Sequence, residues 1–304
     1  MNVTVAFLAR GIDAGIEPAR AFLRSYQAHA AGHPHQLVLL AKGWDGIEGR
    51  AELDDLARST DARIIDLPDD GYDLGAYFRA GPLIDTEFLV LLNTHSRIIR
   101  DDWLGLLMRA AAEPGVGLVG CTGSWGSIGP SWRFWRHAVS LRLRAGLYRD
   151  ALIVLRAGIN EYVTLRWRTF RRFPTFPNPH IRTTAFLIRT ADWRAFAAAR
   201  RVPETKTDSH ALESGRRGLT RYIRARGLRT VVTGADGVAR EPRSWREAET
   251  FMVPGQKNLL VSDNLTREYE TATPEKQRDL EALVWGRAFS VPPALPDACG
   301  APRS

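Results

Sequence analysis

Cysteine is almost missing from this 304-residue chain, and the two that occur, Cys121 and Cys299, sit in unlike contexts, one after an apolar strand pattern and one in a Pro/Gly/Ala tail. Such a pair suggests neither a disulfide framework nor a metal knuckle, and redox chemistry is disfavoured. Lysine is scarce as well, 4 against 38 arginines, so abundant arginine is a chain-wide habit and not in itself a sign of phosphate recognition. No run approaches the roughly 18 to 20 uninterrupted apolar residues of a membrane span. The amino terminus also lacks a basic stretch followed by an apolar segment and a cleavage site, and a cytoplasmic location is expected.

What is present is a hydrophobic content of 44%, enough for the core of one large α/β domain or two small ones. The formal net charge of +8 is local: residues 131 to 173 hold 10 Arg against only Asp150 and Glu161, and the rest sums to neutral. One basic block in a balanced protein points to a local anionic partner and not to a nucleic-acid surface.

Short apolar runs read as buried parallel strands at Val3 to Ala9, Gln36 to Gly43, Ala62 to Pro68, Glu87 to Asn93 and Val116 to Gly123. Between them "EPARAFLRSYQAH", "RAELDDLARS", "LGAYFRAGP" and "DDWLGLLMRAAA" carry helical apolar spacing, with Asp101 and Asp102 where an N-cap and a first-turn acid belong. Strand alternating with helix predicts a doubly wound, mostly parallel α/β sheet. Later, "NPHIRTTAFLIRT" reads as one strand, "ADWRAFAAAR" and "ALESGRRGLTRYIRARG" as helices, and "LRTVVTGADG" as a last strand, while the stretch from Ala239 shows no periodicity. The organisation expected is an α/β half at 1–126, a basic aromatic helical insertion at 127–177, a second half of the same domain at 178–238, and a C-terminal extension at 239–304.

In this order, the βαβαβ start, the acidic turn "DDGYDLGAY", the polar end of the fourth strand before "DDWL", the strand "VGLVGCTGS" and an acid on a helix after "AFLIRT" resemble the GT-A glycosyltransferases, family 2-like. The resemblance covers about residues 1 to 237, and Arg10 and Gly11 stand where that family more often has a proline and an aromatic. It implies transfer of a hexosyl or deoxyhexosyl group from a nucleotide-sugar donor to a cell-surface glycan or lipid-linked acceptor, with inversion, in polysaccharide and cell-envelope biosynthesis.

That family usually ends its fourth strand in Asp-x-Asp, where carboxylates hold a divalent cation against the donor diphosphate. Here the matching positions are Asn93 and His95. A neutral carbonyl and an imidazole make a weak metal site at His95, tolerant of Mn²⁺ more than Mg²⁺, or leave the enzyme independent of metal, with protein cations meeting the diphosphate. The plainer alternative is that both residues cap the strand and the next turn. Arg10, Gly11, Lys42, Asp70 and Asp73 complete the donor side, with Gly71 and Gly75 allowing close backbone approach, although Asp73 also suits a helix cap before Leu74. Ser124, Trp125 and His180 are assigned to the acceptor.

Inverting transfer needs a carboxylate to take the acceptor hydroxyl proton. Glu213 is the candidate, at the start of a helix after the sixth strand, with Asp208 as the rival; a first-turn acid is also what the helix dipole favours without any catalysis. The arginine and tryptophan interleaving of 131 to 173, with Trp132, Trp135 and Trp167, fits an interfacial helix on an anionic membrane, a nucleic-acid surface, or aromatics packed on the domain. A sugar nucleotidyltransferase and a non-catalytic glycan or polyanion binder are the competing functions, and nucleic acid is disfavoured as a partner.

Overall fold

The computed structural model describes residues 2–12, 14–128, 139–140, 142–164 and 171–286. Its centre is a seven-stranded sheet. The strands are β1 (Val3–Arg10), β2 (Gln36–Lys42), β3 (Arg63–Leu67), β4 (Phe88–Leu92), β6 (Val116–Gly120), β9 (Ala185–Arg189) and β10 (Arg229–Val232). Their order across the sheet is β10-β6-β9-β4-β1-β2-β3, and only β9 runs antiparallel to its neighbours. This is the mostly parallel, doubly wound sheet that the alternating pattern and the GT-A resemblance both imply.

The pleat of β1 sorts its residues to two cores. Val3, Val5, Phe7 and Ala9 face α1 (Glu17–Ala28), α2 (Arg50–Ser59) and α4 (Trp103–Ala112), while Ala6 and Leu8 face α3 (Tyr72–Ala80), α6 (Thr190–Ala198) and α8 (Leu219–Ala225). Phe7 stacks on Phe22 at 3.9 Å, and a fully buried Phe contributes about 1.5 to 3 kcal/mol. Because both faces of the sheet's middle are covered, a central strand such as β4 is apolar along its whole length, which is why Phe88–Leu92 shows no alternation.

Several elements differ from the sequence expectations. The single strand read through "NPHIRTTAFLIRT" is two, β8 (His180–Ile181) and β9, with Arg182, Thr183 and Thr184 in the turn between them. The single helix read from Ala211 to Gly227 is also two, α7 (Lys206–Ser214) and α8, because a Cβ on Gly215 would lie 2.3 Å from the Ala211 carbonyl and the chain turns there. Asp102 heads α4 in the left-handed region without capping it and instead pairs with Arg109 at 2.5 Å, while Asp101 accepts from the Ala30 N–H.

Between Ala239 and Gly286 the chain forms regular elements. A two-residue strand β11 (Val261–Ser262) pairs antiparallel with β5 (Arg97–Ile98), and two helices follow, α9 (Asn264–Thr271) and α10 (Pro274–Trp285). Trp245, Phe251, Tyr269 and Trp285 join the core on the α3 side of the sheet. Of the basic insertion, α5 (Tyr148–Thr164) is described; Arg133, Arg136, Trp132, Trp135 and Trp167 lie outside the described residues, as does the Pro-rich tail from 287. Among the described residues, no helix is long and apolar enough to cross a membrane.

Candidate active site

The carboxyl ends of β1, β2, β3 and β4 bring Arg10, Lys42, the turn 69–72 and His95 to one side of the sheet, as open α/β sheets do with their ligand sites. A cavity of 640 Å³ is lined there by Arg10, Lys42, Asp69, Asp70, Gly71 and Tyr72, and is closed on its far side by residues 201–204. Lys42 is only 2% exposed; its Nζ donates to the Tyr72 carbonyl at 2.9 Å and lies 3.6 Å from Asp69. Burial lowers the Lys42 pKa, against the opposing pull of Asp69. The lysine therefore pins the acidic turn in place. Gly11, just after β1, packs closely on the residues that follow β2: its N–H donates to the Lys42 carbonyl, and a Cβ there would come within 2.5 Å of the Gly43 oxygen.

The turn itself departs from expectation in two ways. Gly71 (φ +70°) and Gly75 make room for protein and not for ligand, since a Cβ on Gly71 would meet Val202 at 2.4 Å. Asp70 is held by Arg79 in an exposed pair that keeps its carboxyl below the usual range. Asp73 does not cap: α3 starts at Tyr72, two residues before Leu74, no side chain caps it, and Asp73 lies in the first turn. Burial raises the Asp73 pKa, while Lys42, Arg10 and His95 pull it down and Glu213 pushes it up. Asp73 therefore lies in one electrostatic field with Arg10, Lys42, His95 and Glu213.

Asn93 is buried, and its side-chain oxygen accepts from the His95 N–H at 3.2 Å and the Ser96 hydroxyl at 2.9 Å. Its carbonyl is committed to the turn after β4, the capping role foreseen as the plainer alternative. His95 is exposed, with its backbone oxygen accepting from Arg267. Among the described residues no three His, Cys, Asp or Glu side chains converge as a cation site. A single imidazole beside one committed amide does not fit a hard divalent cation.

Glu213 is the next-to-last residue of α7, not in its first turn. A carboxylate at the carboxyl end of a helix opposes the macrodipole, so the position must be stabilised by other means. Its Oε2 accepts from the Thr183 N–H at 2.8 Å and from the Thr183 hydroxyl at 2.5 Å, and its Oε1 lies 4.0 Å from His180 Nε2. Burial pushes its pKa up, but charged His180, the two Thr183 donors and Arg182 outweigh that, and the net direction is down. His180 is itself buried, and burial holds its pKa below the ordinary value. The imidazole is thus neutral near pH 7, with Nδ1 donating to the Asn178 carbonyl at 2.8 Å, and at that pH Thr183 and Arg182 carry the stabilisation of Glu213. His180, assigned from sequence to the acceptor, therefore faces the candidate base.

Arg182 is anchored from afar. It forms a buried 2.6 Å ion pair with Asp263, its guanidinium sits 4.0 Å over the Phe251 ring, and Asp263 is the N-cap of α9, accepting from the Thr266 N–H. The C-terminal extension thereby reaches the residue next to Thr183.

Asp208, the rival acid, has another occupation: it stands three residues into the capping box of α7 with Thr205 and pairs with Arg172, and these bonds lower its pKa. Ser124 and Trp125 also serve packing. The Ser124 hydroxyl accepts from the Gly126 N–H; the Trp125 indole donates to the Pro242 carbonyl at 2.7 Å and meets Trp285 edge-on at 5.4 Å. Sequence reasoning missed Asp69, Arg182, Thr183, Arg201 and Asp263. The polar triplet "RTT" interrupting an apolar strand was the available signal for two of them.

No family model matches the chain, and no curated protein matches it either. Among solved structures it is similar to a mannosyltransferase from Pyrobaculum calidifontis, determined in complex with GDP-Man and Mn²⁺, at 17% identity and TM-score 0.42 over 81% of this chain and 59% of that one. It is also similar to S. aureus TarS, at 12% identity and TM-score 0.32 over 40% of this chain and 21% of that one. The chain thus spans less than two thirds of either.

Proposed function

We propose that the protein is a glycosyltransferase that moves a hexosyl group from a nucleotide-sugar to an envelope glycan or lipid-linked acceptor, with inversion and with Glu213 as the base. The observation that carries this reading is a buried carboxylate at the carboxyl end of α7 that accepts two hydrogen bonds from Thr183, on the side of the sheet where a cavity at the carboxyl ends of the strands is lined by Arg10, Lys42 and Arg201 among three acids. Thr183 occupies Oε2, leaving Oε1 to receive the acceptor hydroxyl proton as the anomeric carbon is attacked. As the donor bond breaks, negative charge grows on the leaving diphosphate, and Arg10 and Arg201, which line the donor cavity, are the cations that meet it. Asp69 and Asp73 remain as acceptors for donor hydroxyls or base N–H groups.

A nucleotidyltransferase is less well supported, because the first glycine after β1, Gly11, is packed against the Gly43 carbonyl and does not open towards a phosphate. Association with a membrane face is supported by Leu147, Tyr148, Leu152 and Ile153, which are 50% to 71% exposed among arginines 142, 144, 149 and 156. The test of the activity is a ligand-observed screen of nucleotide-sugars with and without Mn²⁺, followed by turnover of the donor found. Binding of one nucleotide-sugar, and its slow hydrolysis or transfer lost in Glu213→Gln, is the expected result; indifference to every nucleoside diphosphate overturns the reading.

A further inference from the structure

A second cavity of 640 Å³ lies on the other side of the 201–204 segment, which it shares with the donor cavity as a common wall. Arg171, Arg172, Arg200, Arg201, Arg216 and Arg217 line it, against only Glu204 and Asp208, over a floor that includes Val202, Pro203, Ala211 and Leu212. The arginines come as pairs from three separate parts of the chain: before β8, after α6, and in the turn between α7 and α8. They are held there by the backbone. The Arg216 N–H donates to the Arg172 carbonyl at 2.8 Å, and the Arg200 guanidinium donates to the Arg217 carbonyl at 3.1 and 3.3 Å.

A solvated basic face spreads its charges along one element, whereas here six arginines from three parts of the chain line one concavity with only two acids. Asp208 is already engaged with Thr205 and Arg172, and among the described residues no side-chain bond is seen for Arg171, Arg201 or Arg217. Crowded like charges repel, and an anion relieves that repulsion. The planar fork of arginine matches the oxygens of a phosphoryl group in pairs. The cavity is not the reaction centre, because Asp208, Ala211 and Leu212 line it from one face of α7, and Glu213 is turned from Leu212 by roughly 100° and further from Ala211.

We propose that this cavity is an acceptor subsite for a phosphoryl group, so that the acceptor is a phosphate-bearing chain or lipid engaged at a distance from its reacting hydroxyl. This rests on the glycosyltransferase reading for the word acceptor, but phosphate binding itself does not. The phosphate belongs either to a lipid headgroup or to a soluble chain, and the experiment separates the two.

The probe is inorganic tripolyphosphate, titrated calorimetrically at low and high salt into the wild type and into Arg171→Glu/Arg217→Glu, whose residues do not line the donor cavity. Tripolyphosphate should bind the wild type in a salt-sensitive manner and bind the variant about tenfold or more weakly, with nucleoside diphosphate affinity unchanged. A thermal melt checks the fold, and Arg171→Gln/Arg217→Gln serves if charge reversal prevents folding. Sedimentation with phosphatidylglycerol vesicles that is lost in the variant assigns the phosphate to a lipid; tripolyphosphate binding with no difference between anionic and neutral vesicles assigns it to a soluble chain. Equal tripolyphosphate binding by wild type and variant overturns the proposal, and so does its full displacement by a nucleoside diphosphate, which would make the cavity part of the donor site. Wild type that binds no nucleotide-sugar yet shows the tripolyphosphate difference leaves the phosphate subsite standing and removes the transferase.

Discussion

The two ends of α7 carry acids five residues apart with opposite histories. At the amino end, Asp208 sits where the helix dipole favours a carboxylate, closes a capping box with Thr205 and pairs with Arg172. At the carboxyl end, Glu213 sits where the dipole opposes it, and the surrounding turn supplies two donors from Thr183 to keep it ionised. The helix alone accounts for the first acid, whereas the second is maintained against its helix by dedicated partners, and that contrast is what makes Glu213 the better candidate for a role beyond folding. The sequence placed both acids in the same category, and the structure separates them.

The largest effect expected is on turnover. Glu213→Gln should lower kcat by about 10³ with donor affinity and melting temperature little changed, the scale of lost general-base catalysis. If Asp208→Asn gives that loss instead, the comparison is inverted. Next is the distant support. Arg182→Met leaves Asp263 buried without its partner, and should cost about 3 kcal/mol or more of stability in chemical denaturation. An effect below 1 kcal/mol would mean that water reaches Asp263 and that the extension is not tied to the site in this way.

Thr183→Val tests how Glu213 is kept charged. A carboxyl with a lowered pKa contributes stability and activity above its unperturbed value of 4.5, and both are lost as pH falls through the lower folded value. Removing the hydroxyl should move the acid limb of the pH–rate profile upward, and an unmoved limb would assign it to another group. Asp208→Ala should then cost only about 1 kcal/mol in a thermal melt, the value of a helix-start hydrogen bond, with kcat within about twofold. Smallest of all is the response to exhaustive chelation, about twofold or less, with any stimulation greater for Mn²⁺ than for Mg²⁺, since Asn93 is committed to its turn and His95 offers one nitrogen. Complete loss restored by Mg²⁺ would place a carboxylate site elsewhere.

The first half of the fold was legible because strands covered on both faces are written as unbroken apolar runs, and α2 was bounded to the residue. The break between β8 and β9 was read through, since Arg182 to Thr184 are only three polar residues between apolar ones. The extension was called aperiodic although Asp263 and Thr266 carry a capping box, because its two helices are short and polar on most sides. At the site, Glu213 was legible by its order in the chain, but the partners that decide its role were not. Thr183 lies 30 residues before it, and Asp263 joins through a third element. Contacts of that kind leave no spacing to read.

The anchoring of Arg182 by Asp263 also bears on the order of events during synthesis. Every strand of the main sheet ends by Val232, so the sheet can assemble on the ribosome while residue 263 is still within the exit tunnel. Until α9 emerges and its N-cap engages Arg182, the turn that presents Thr183 to Glu213 lacks its anchor, and a nascent chain with a complete sheet holds its candidate base in an unfinished setting. A chain truncated after residue 257 should accordingly retain its far-ultraviolet signature far better than its activity.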